Sequence, residues 1–141
     1  MNHFHFALRR GALLSLILLL GLALAACSGG SSGATDDGTA GGTIAVTDGV
    51  AELSADNLEF DASTITAPAG EAFTIRLTNN EAPPHNVSVY VSEGGDLIGE
   101  EGETVGEGET TELSVEALEA GTYYFQCDIH PDMNGTIVVE G

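Results

Sequence analysis

Short runs of alternating apolar and polar residues cover the chain from about Thr43 onward. Phe73, Ile75 and Leu77, for example, alternate with polar or charged neighbours, as expected of a half-buried strand. Gly, Pro and Asn separate the runs, and no segment has the spacing of an amphipathic helix. Strands are predicted near residues 43–47, 50–54, 63–66, 72–78, 86–91, 110–116, 121–127 and 135–140. Many short strands of this kind predict an all-β fold, a β-sandwich of Greek-key type.

The N-terminal part has a different pattern. Residues 11–26, GALLSLILLLGLALAA, carry no charge and follow two arginines, which is the layout of an export signal. The run is shorter than the roughly 20 apolar residues that a spanning helix needs. Its end, LAAC, resembles a bacterial lipobox, which implies cleavage before Cys27 and a lipid on that thiol. We therefore expect residues 1–26 to be a lipoprotein signal peptide. An ordinary signal peptide or a twin-arginine signal is the alternative.

A low-complexity segment connects this signal to the strands. Residues 28–42, SGGSSGATDDGTAGG, contain Gly, Ser, Thr and Asp without apolar periodicity, as in a flexible linker. We expect residues 27–42 to be a tether and residues 43–141 to be the folded domain. The lipid would then hold an extracytoplasmic domain at the cell membrane, facing the periplasm or the outer cell surface.

The charge after the signal is strongly negative. All 22 acidic residues follow Cys27, where Arg76 is the only basic residue apart from histidine, so the net charge of this part is about −21. Nucleic acid is excluded as a partner because phosphate contacts need Lys and Arg. An anionic membrane surface is excluded for the same reason. The charge suits either a basic protein partner or a high-salt environment, which screens the self-repulsion.

Much of this acidity lies in residues 93–109, EGGDLIGEEGETVGEGE, which we call the acidic segment. Its apolar residues are Leu97, Ile98 and Val105. One interpretation is a solvated loop with a short edge strand at 97–99. The other is a docking surface for a basic partner.

The motif CDIHPDM, residues 127–133, places a cysteine, a histidine and a methionine at three-residue intervals. The chain has only two Cys, two Met and four His, so the motif holds a large share of its soft metal ligands. Strand alternation puts Cys127 on the same buried face as Phe125. A turn at Pro131 can then bring His130 and Met133 back toward the sulfur. If Cys27 carries lipid, Cys127 has no disulfide partner.

These residue types favour copper over zinc. Zinc usually takes four Cys, His or carboxylate ligands, whereas Cys, His and a weak thioether are typical of a trigonal His₂Cys copper site with a long axial Met. That geometry needs a second histidine. His3 and His5 leave with the signal peptide, so only His85 remains, although a lone histidine there would otherwise be a surface loop residue. The predicted ligands are His85, Cys127, His130 and Met133.

Residues from about 51 to 139 resemble the small blue-copper proteins of the cupredoxin family, the plastocyanin–amicyanin–halocyanin group. The matching stretches are Pro84-His85-Asn86-Val87, Gly121-Thr122-Tyr123, Cys127-x2-His130-Pro131-x-Met133 and Gly135-Thr136-Ile137. The two-residue gap between His130 and Met133 is closer to amicyanin than to plastocyanin. The resemblance implies one copper ion, cycling between Cu(I) and Cu(II), on the same four ligands. It also implies that Asn86 ties the two ligand loops together by hydrogen bonds. The acidic segment departs from the shortest family members.

The resemblance and the ligand set imply an electron carrier that is not an enzyme. A His₂Cys(Met) centre has no open position for a substrate. By the resemblance, electrons would pass through the exposed edge of His130. The expected partner is a basic redox protein, a cytochrome c or an oxidase. An extracytoplasmic copper-binding and delivery protein is the alternative function. A nucleophilic Cys127 assisted by a histidine would leave Met133 unexplained.

Overall fold

The computed structural model describes residues 41–141. The predicted signal peptide, Cys27 and the tether as far as residue 40 lie outside the described residues. In the described range no helix is long and apolar enough to cross a membrane.

The described residues form ten β-strands. These are β1 (Gly42–Ala45), β2 (Val50–Asp56), β3 (Glu59–Phe60), β4 (Ala62–Pro68), β5 (Phe73–Asn79), β6 (Ser88–Tyr90), β7 (Leu97–Ile98), β8 (Thr110–Val115), β9 (Gly121–Gln126) and β10 (Asn134–Glu140). A six-stranded sheet has the order β1-β4-β10-β9-β6-β7, and a four-stranded sheet has the order β3-β2-β5-β8. Strand β4 runs parallel to both β1 and β10, and β2 runs parallel to β5. The predicted all-β sandwich is confirmed.

The core lies between the two sheets because alternate side chains of each sheet face inward. Strand β5 buries every second residue, and the predicted inward set Phe73, Ile75 and Leu77 is buried. Phe125 and Ile137 of the six-stranded sheet belong to the same hydrophobic cluster. Burying a side chain of this size stabilises the fold by about 1.5–3 kcal/mol. This shared core gives the strand ends a fixed position.

Two parts of the strand pattern differ from the prediction. Strand β6 covers only Ser88–Tyr90 instead of 86–91. Gly102 packs so closely on Val87 that a Cβ at residue 102 would lie 2.0 Å from the Val87 carbonyl oxygen. Strand β3 was not predicted, since its hairpin turn holds both Asn57 and Leu58 at positive φ, 55° and 60°. Asparagine favours this conformation but leucine rarely adopts it.

The acidic segment is part of the sandwich. It contains the short edge strand β7, as one interpretation predicted, and β7 pairs with β6. Val105 is buried and forms an isolated β-bridge with His85, whereas Leu97 remains 37% exposed. Two of its three apolar residues, Val105 and the half-buried Ile98, therefore anchor the segment.

Candidate metal centre

Three strand ends meet at one end of the six-stranded sheet. Gln126, the last residue of β9, pairs with Ser88 of β6 on one side and with Asn134 of β10 on the other. The residues that follow β9 and those that precede β6 and β10 must therefore emerge together. This register brings the Cys127–Met133 loop next to His85.

The sulfur of Cys127 lies between two histidines. Its Sγ is 3.8 Å from Nδ1 of His85 and 3.8 Å from Nδ1 of His130. The three ligand atoms lie within 4.8 Å of one another. Metal bonds of about 2.05 Å to nitrogen and about 2.3 Å to sulfur, at an angle of 120°, would separate nitrogen and sulfur by about 3.8 Å. The two nitrogen–sulfur distances thus fit one metal ion shared by the three side chains.

The backbone of the Cys127–Met133 loop is closed by two hydrogen bonds. The Met133 N–H donates to the His130 carbonyl at 2.9 Å, and the Cys127 N–H donates to the Met133 carbonyl at 2.9 Å. Met133 is only 2% exposed. Just beyond the loop, Gly135 is required because a Cβ there would lie 2.5 Å from the ring of Phe125. The loop therefore keeps Met133 buried beside Cys127.

The backbone around His85 is fixed by the acidic segment and by β5. His85 and Val105 exchange two backbone hydrogen bonds of 3.0 and 2.9 Å. The side-chain amide of Asn79, the last residue of β5, donates to the carbonyls of Pro83 at 2.8 Å and Val105 at 3.1 Å. Asn79 is fully buried, so these bonds satisfy a group that would otherwise be costly to bury. His85 is therefore held on both sides.

A carboxylate orients the imidazole of His85. Nε2 of His85 lies 3.0 Å from Oε1 of Glu81, an acceptor, so Nε2 carries the proton and the Nδ1 lone pair faces Cys127. The Leu58 N–H donates to the same carboxylate oxygen at 2.7 Å. Metal-binding histidines usually have such a partner on the second nitrogen. Sequence analysis missed Glu81, although a carboxylate four residues before a candidate ligand was visible.

Asn86 and Asp128 connect the two loops directly. The Asn86 side-chain amide donates to Oδ2 of Asp128 at 2.7 Å, and the Asp128 N–H donates to Oδ1 of Asn86 at 2.8 Å. Sequence analysis named Asn86 for this kind of contact but missed Asp128. The two bonds join the residue after His85 to the residue after Cys127.

The partly buried Asp128 carboxylate is surrounded by polar side chains. Burial alone would raise its pKa, but hydrogen bonds from Ser88, Tyr90, Asn86 and Gln126 outweigh that effect and lower the pKa below its ordinary value. Burial raises the pKa of Tyr90 to about 12, with a further contribution from its hydrogen bond to Asp128. The spacing Asn86-x-Ser88-x-Tyr90, one polar face of a strand, was the sequence signal for this group.

The cluster is enclosed except on one side. His85 and Cys127 are fully buried, whereas His130 is partly exposed. Ile129, next to His130, is 46% exposed, and Pro131 is also exposed. Of the three residues whose ligand atoms cluster, His130 is the one that reaches the surface.

Comparisons with known proteins agree with this chemistry. The family model described as a cupredoxin-like domain matches residues 16–139. Auracyanin from Roseiflexus castenholzii shares the fold, with a TM-score of 0.56 and 21% identity over 72% of this chain and 100% of that chain. A reduced variant of amicyanin has a TM-score of 0.51 and 29% identity, covering 67% of this chain and 86% of that one. A Cu(I) form of another amicyanin variant gives the same values. No curated protein sequence matches the chain. The His85, Cys127 and His130 cluster, with Met133 beside it, fits one copper ion.

Proposed function

The chain belongs to the cupredoxin-like family, and on that premise we propose that it is a blue-copper electron carrier tethered to the outer face of a membrane. The observation that carries the proposal is the position of the Cys127 sulfur, 3.8 Å from the inward nitrogen of each of two histidines. One thiolate, two imidazoles and a thioether are the donor set typical of such centres.

His85, Cys127 and His130 would hold the copper ion, and the Met133 thioether would be the fourth and weakest ligand. A bound copper ion supplies the one-electron couple. The protein fixes the donor atoms in advance, because His85 is held by Glu81 and Val105 and the Cys127 loop is closed by its own backbone. Donors that cannot move favour electron transfer with little rearrangement. His130, partly exposed beside Ile129 and Pro131, is the route by which electrons enter and leave.

Voltammetry and copper release together test the carrier function against copper delivery. We expect a reversible one-electron response and slow loss of copper to a chelator, because Cys127, His85 and Met133 are buried. A delivery protein would favour exchangeable, exposed ligands. Rapid transfer of copper to a chelator, without a reversible response, would replace the carrier proposal by the delivery function.

The tether is a separate part of the proposal, supported by the lipobox-like LAAC and the Gly/Ser segment after it. Full-length protein expressed in a bacterium should partition with membranes, and mass spectrometry should find acyl groups on Cys27. Replacing Cys27 with Ser should leave the protein uncleaved or released. Wild-type protein recovered in the soluble fraction with an unmodified N-terminus would contradict the tether and leave the copper site unaffected.

We propose a basic redox protein, a cytochrome c or an oxidase, as the partner. About −21 charges after Cys27, with Arg76 as the only Lys or Arg, create a field that attracts a positively charged surface. Arg76 itself is engaged by Glu52 and Glu112, at 2.6 and 2.9 Å. Steering of this kind acts mainly on the association rate.

A further inference from the structure

We propose that Asp128 is a positioning residue whose fixed negative charge, held by four side-chain donors next to Cys127, locks the two ligand loops together and favours the oxidised state of the copper site. This inference rests on the proposed copper function. It adds a residue and a charge to that site that the ligand motif does not contain.

The group begins with a polar strand face directed at one carboxylate. Asn86, Ser88 and Tyr90 alternate along the chain, so their side chains lie on one side, while Val87 and Val89 are fully buried on the other. The donors on this face reach Asp128 at 2.7, 2.6 and 2.5 Å respectively. Gln126 adds a longer contact of 3.5 Å. Three strand positions and one loop position thus converge on a single side chain.

The hydrogen-bond directions require an acceptor at Asp128. The Gly102 N–H donates to Oγ of Ser88 at 3.0 Å, which leaves the Ser88 hydroxyl proton free to point at the carboxylate. The Asn86 amide nitrogen, which can only donate, also donates to the Gly102 carbonyl at 3.1 Å. An ionised carboxylate accepts at two oxygens with about four lone-pair sites. Donors from four side chains occupy these sites, and no buried side-chain N or O atom in the described residues lacks a partner.

The position of this charge determines its effect on the metal. Asp128 is bonded in the chain to Cys127, and its own N–H is held by Asn86, the neighbour of His85. A negative charge stabilises the more positive metal state, so Cu(II) gains relative to Cu(I) and the reduction potential falls. Solvent screens the interaction only in part, because the carboxylate is partly buried.

Redox titration of the purified copper protein against a common mediator tests whether the charge of Asp128 favours Cu(II). Asp128→Asn should shift the equilibrium about tenfold toward Cu(I), which is 59 mV for a one-electron couple. Asp132→Asn is the matched control, since it removes the same charge from an exposed side chain of the same loop and should shift the equilibrium much less. Tyr90→Phe should move the equilibrium the other way, toward Cu(II), because it removes a donor that offsets the carboxylate charge.

The effect of the Asp128 charge on copper and the locking of the two ligand loops can be tested separately. A residue that only braces the loops would give a change of the same sign in Asp128→Asn and Tyr90→Phe, and that result would overturn the charge assignment. Equal shifts in Asp128→Asn and Asp132→Asn would overturn it as well. In the metal-free protein, the Asn86 side-chain amide protons should exchange slowly by NMR in the wild type and faster in Asp128→Ser. Unchanged exchange would contradict the locking role.

Control measurements separate a failure to fold, or the lack of a blue copper site, from a failure of the proposed role of Asp128. Urea unfolding of each metal-free variant establishes that it is folded. If Asp128→Asn does not fold, Ser88→Ala and Tyr90→Phe, which keep the carboxylate, carry the test, and a shift of either toward Cu(I) refutes the proposal. A wild-type protein without a blue copper site would refute the proposed function instead. If the wild type is blue but Asp128→Asn shifts the redox equilibrium no more than Asp132→Asn does, this inference is refuted and the proposed function is unaffected.

Discussion

His85 and His130 present their Nδ1 atoms to the Cys127 sulfur at the same distance, 3.8 Å, but their surroundings differ. His85 is fully buried, its backbone pairs with Val105, and its second nitrogen is bound by Glu81. His130 is partly exposed beside an exposed Ile129 and lies in a seven-residue loop between two strands. One histidine is fixed by the body of the sandwich, and the other connects the site to the surface.

This difference shows how one centre can be both rigid and accessible. Rigidity comes from the side of His85, where hydrogen bonds of Asn79, Glu81 and Val105 connect distant segments of the chain. In the proposed carrier, accessibility needs only one ligand edge at the surface, since an electron, unlike a substrate, requires no open coordination position.

Removing each imidazole in turn should show the difference between the two histidines most clearly. His85→Gly and His130→Gly should both lose the blue absorption. Added imidazole should restore most of it in His130→Gly, because that position opens to solvent, and should fail in His85→Gly, where Val105 and Glu81 close the site. Absorption spectra of both variants with and without imidazole are the measurement. Equal rescue of both variants would show that the two sides are equivalent.

Salt dependence should show whether the acidic segment attracts a basic partner. Electron transfer to a basic cytochrome should slow several-fold as ionic strength rises and the Debye length falls to about 8 Å. Replacing four exposed glutamates of the acidic segment by Gln should flatten this dependence without changing the copper spectrum. The residues are Glu100, Glu101, Glu103 and Glu107. Glu109 is kept because its carboxylate accepts a hydrogen bond from Gly106.

The matched control removes four charges from the opposite end of the sandwich, where β2 and β5 begin and β10 ends. Its substitutions are Asp48→Asn, Glu71→Gln, Glu119→Gln and Glu140→Gln. If both sets flatten the salt dependence equally, the attraction depends on total charge and the acidic segment is not a docking surface. A rate indifferent to salt would make the acidity a solubility or salt adaptation.

Glu81→Gln tests the fixed side by a smaller change. The amide can still accept from His85 Nε2, but the negative charge is lost. Changes to such partners typically cost 10–100-fold in metal affinity, and we expect about tenfold weaker copper binding here. Competition with a chelator measures it, with Glu59→Gln as the control because that side chain is exposed in the same turn region. Unchanged affinity would mean that Val105 and Asn79 suffice to hold His85.

Much of this architecture could be predicted from local pattern. Strand β5 follows from strict alternation of Phe73, Ile75 and Leu77, and the candidate ligands follow from the spacing of Cys127, His130 and Met133. These features lie within short stretches of sequence. The structure brings Cys127 and His130 together with His85, 42 residues away from the sulfur.

The remainder depends on contacts between distant segments. Glu81 contacts His85 within one short stretch, but the turn that holds its carboxylate, at Leu58, lies 23 residues away in the chain. Strand β6 is shortened because Gly102 occupies the space over Val87. Asp128 looks like a polar turn residue in the motif, and its three strongest donors come from another strand and the residues before it. The alternation of apolar and polar residues within one stretch does not predict contacts between distant segments.

A small effect on stability at alkaline pH is expected from Tyr90. The pKa of Tyr90 is raised to about 12 by burial and by Asp128, against about 10 in an unfolded chain. Its contribution to the free energy of unfolding is therefore fully present below pH 10 and is lost as the pH rises from about 10 to 12. Urea unfolding should show that Tyr90→Phe loses less stability over this range than the wild type. Tyr124, whose pKa burial also raises, is present in both proteins, so the difference isolates Tyr90. Equal losses would contradict the assignment.

The absorption spectrum of the purified protein with Cu(II) shows directly whether the site is a blue-copper centre. A trigonal site in which the Cys127 thiolate donates charge to copper should be intensely blue, and Cys127→Ser should abolish the colour. Met133→Leu should keep both copper and colour but raise the reduction potential, because the weak axial donor is lost. A colourless protein that prefers zinc would contradict the assignment of a blue-copper centre to His85, Cys127, His130 and Met133.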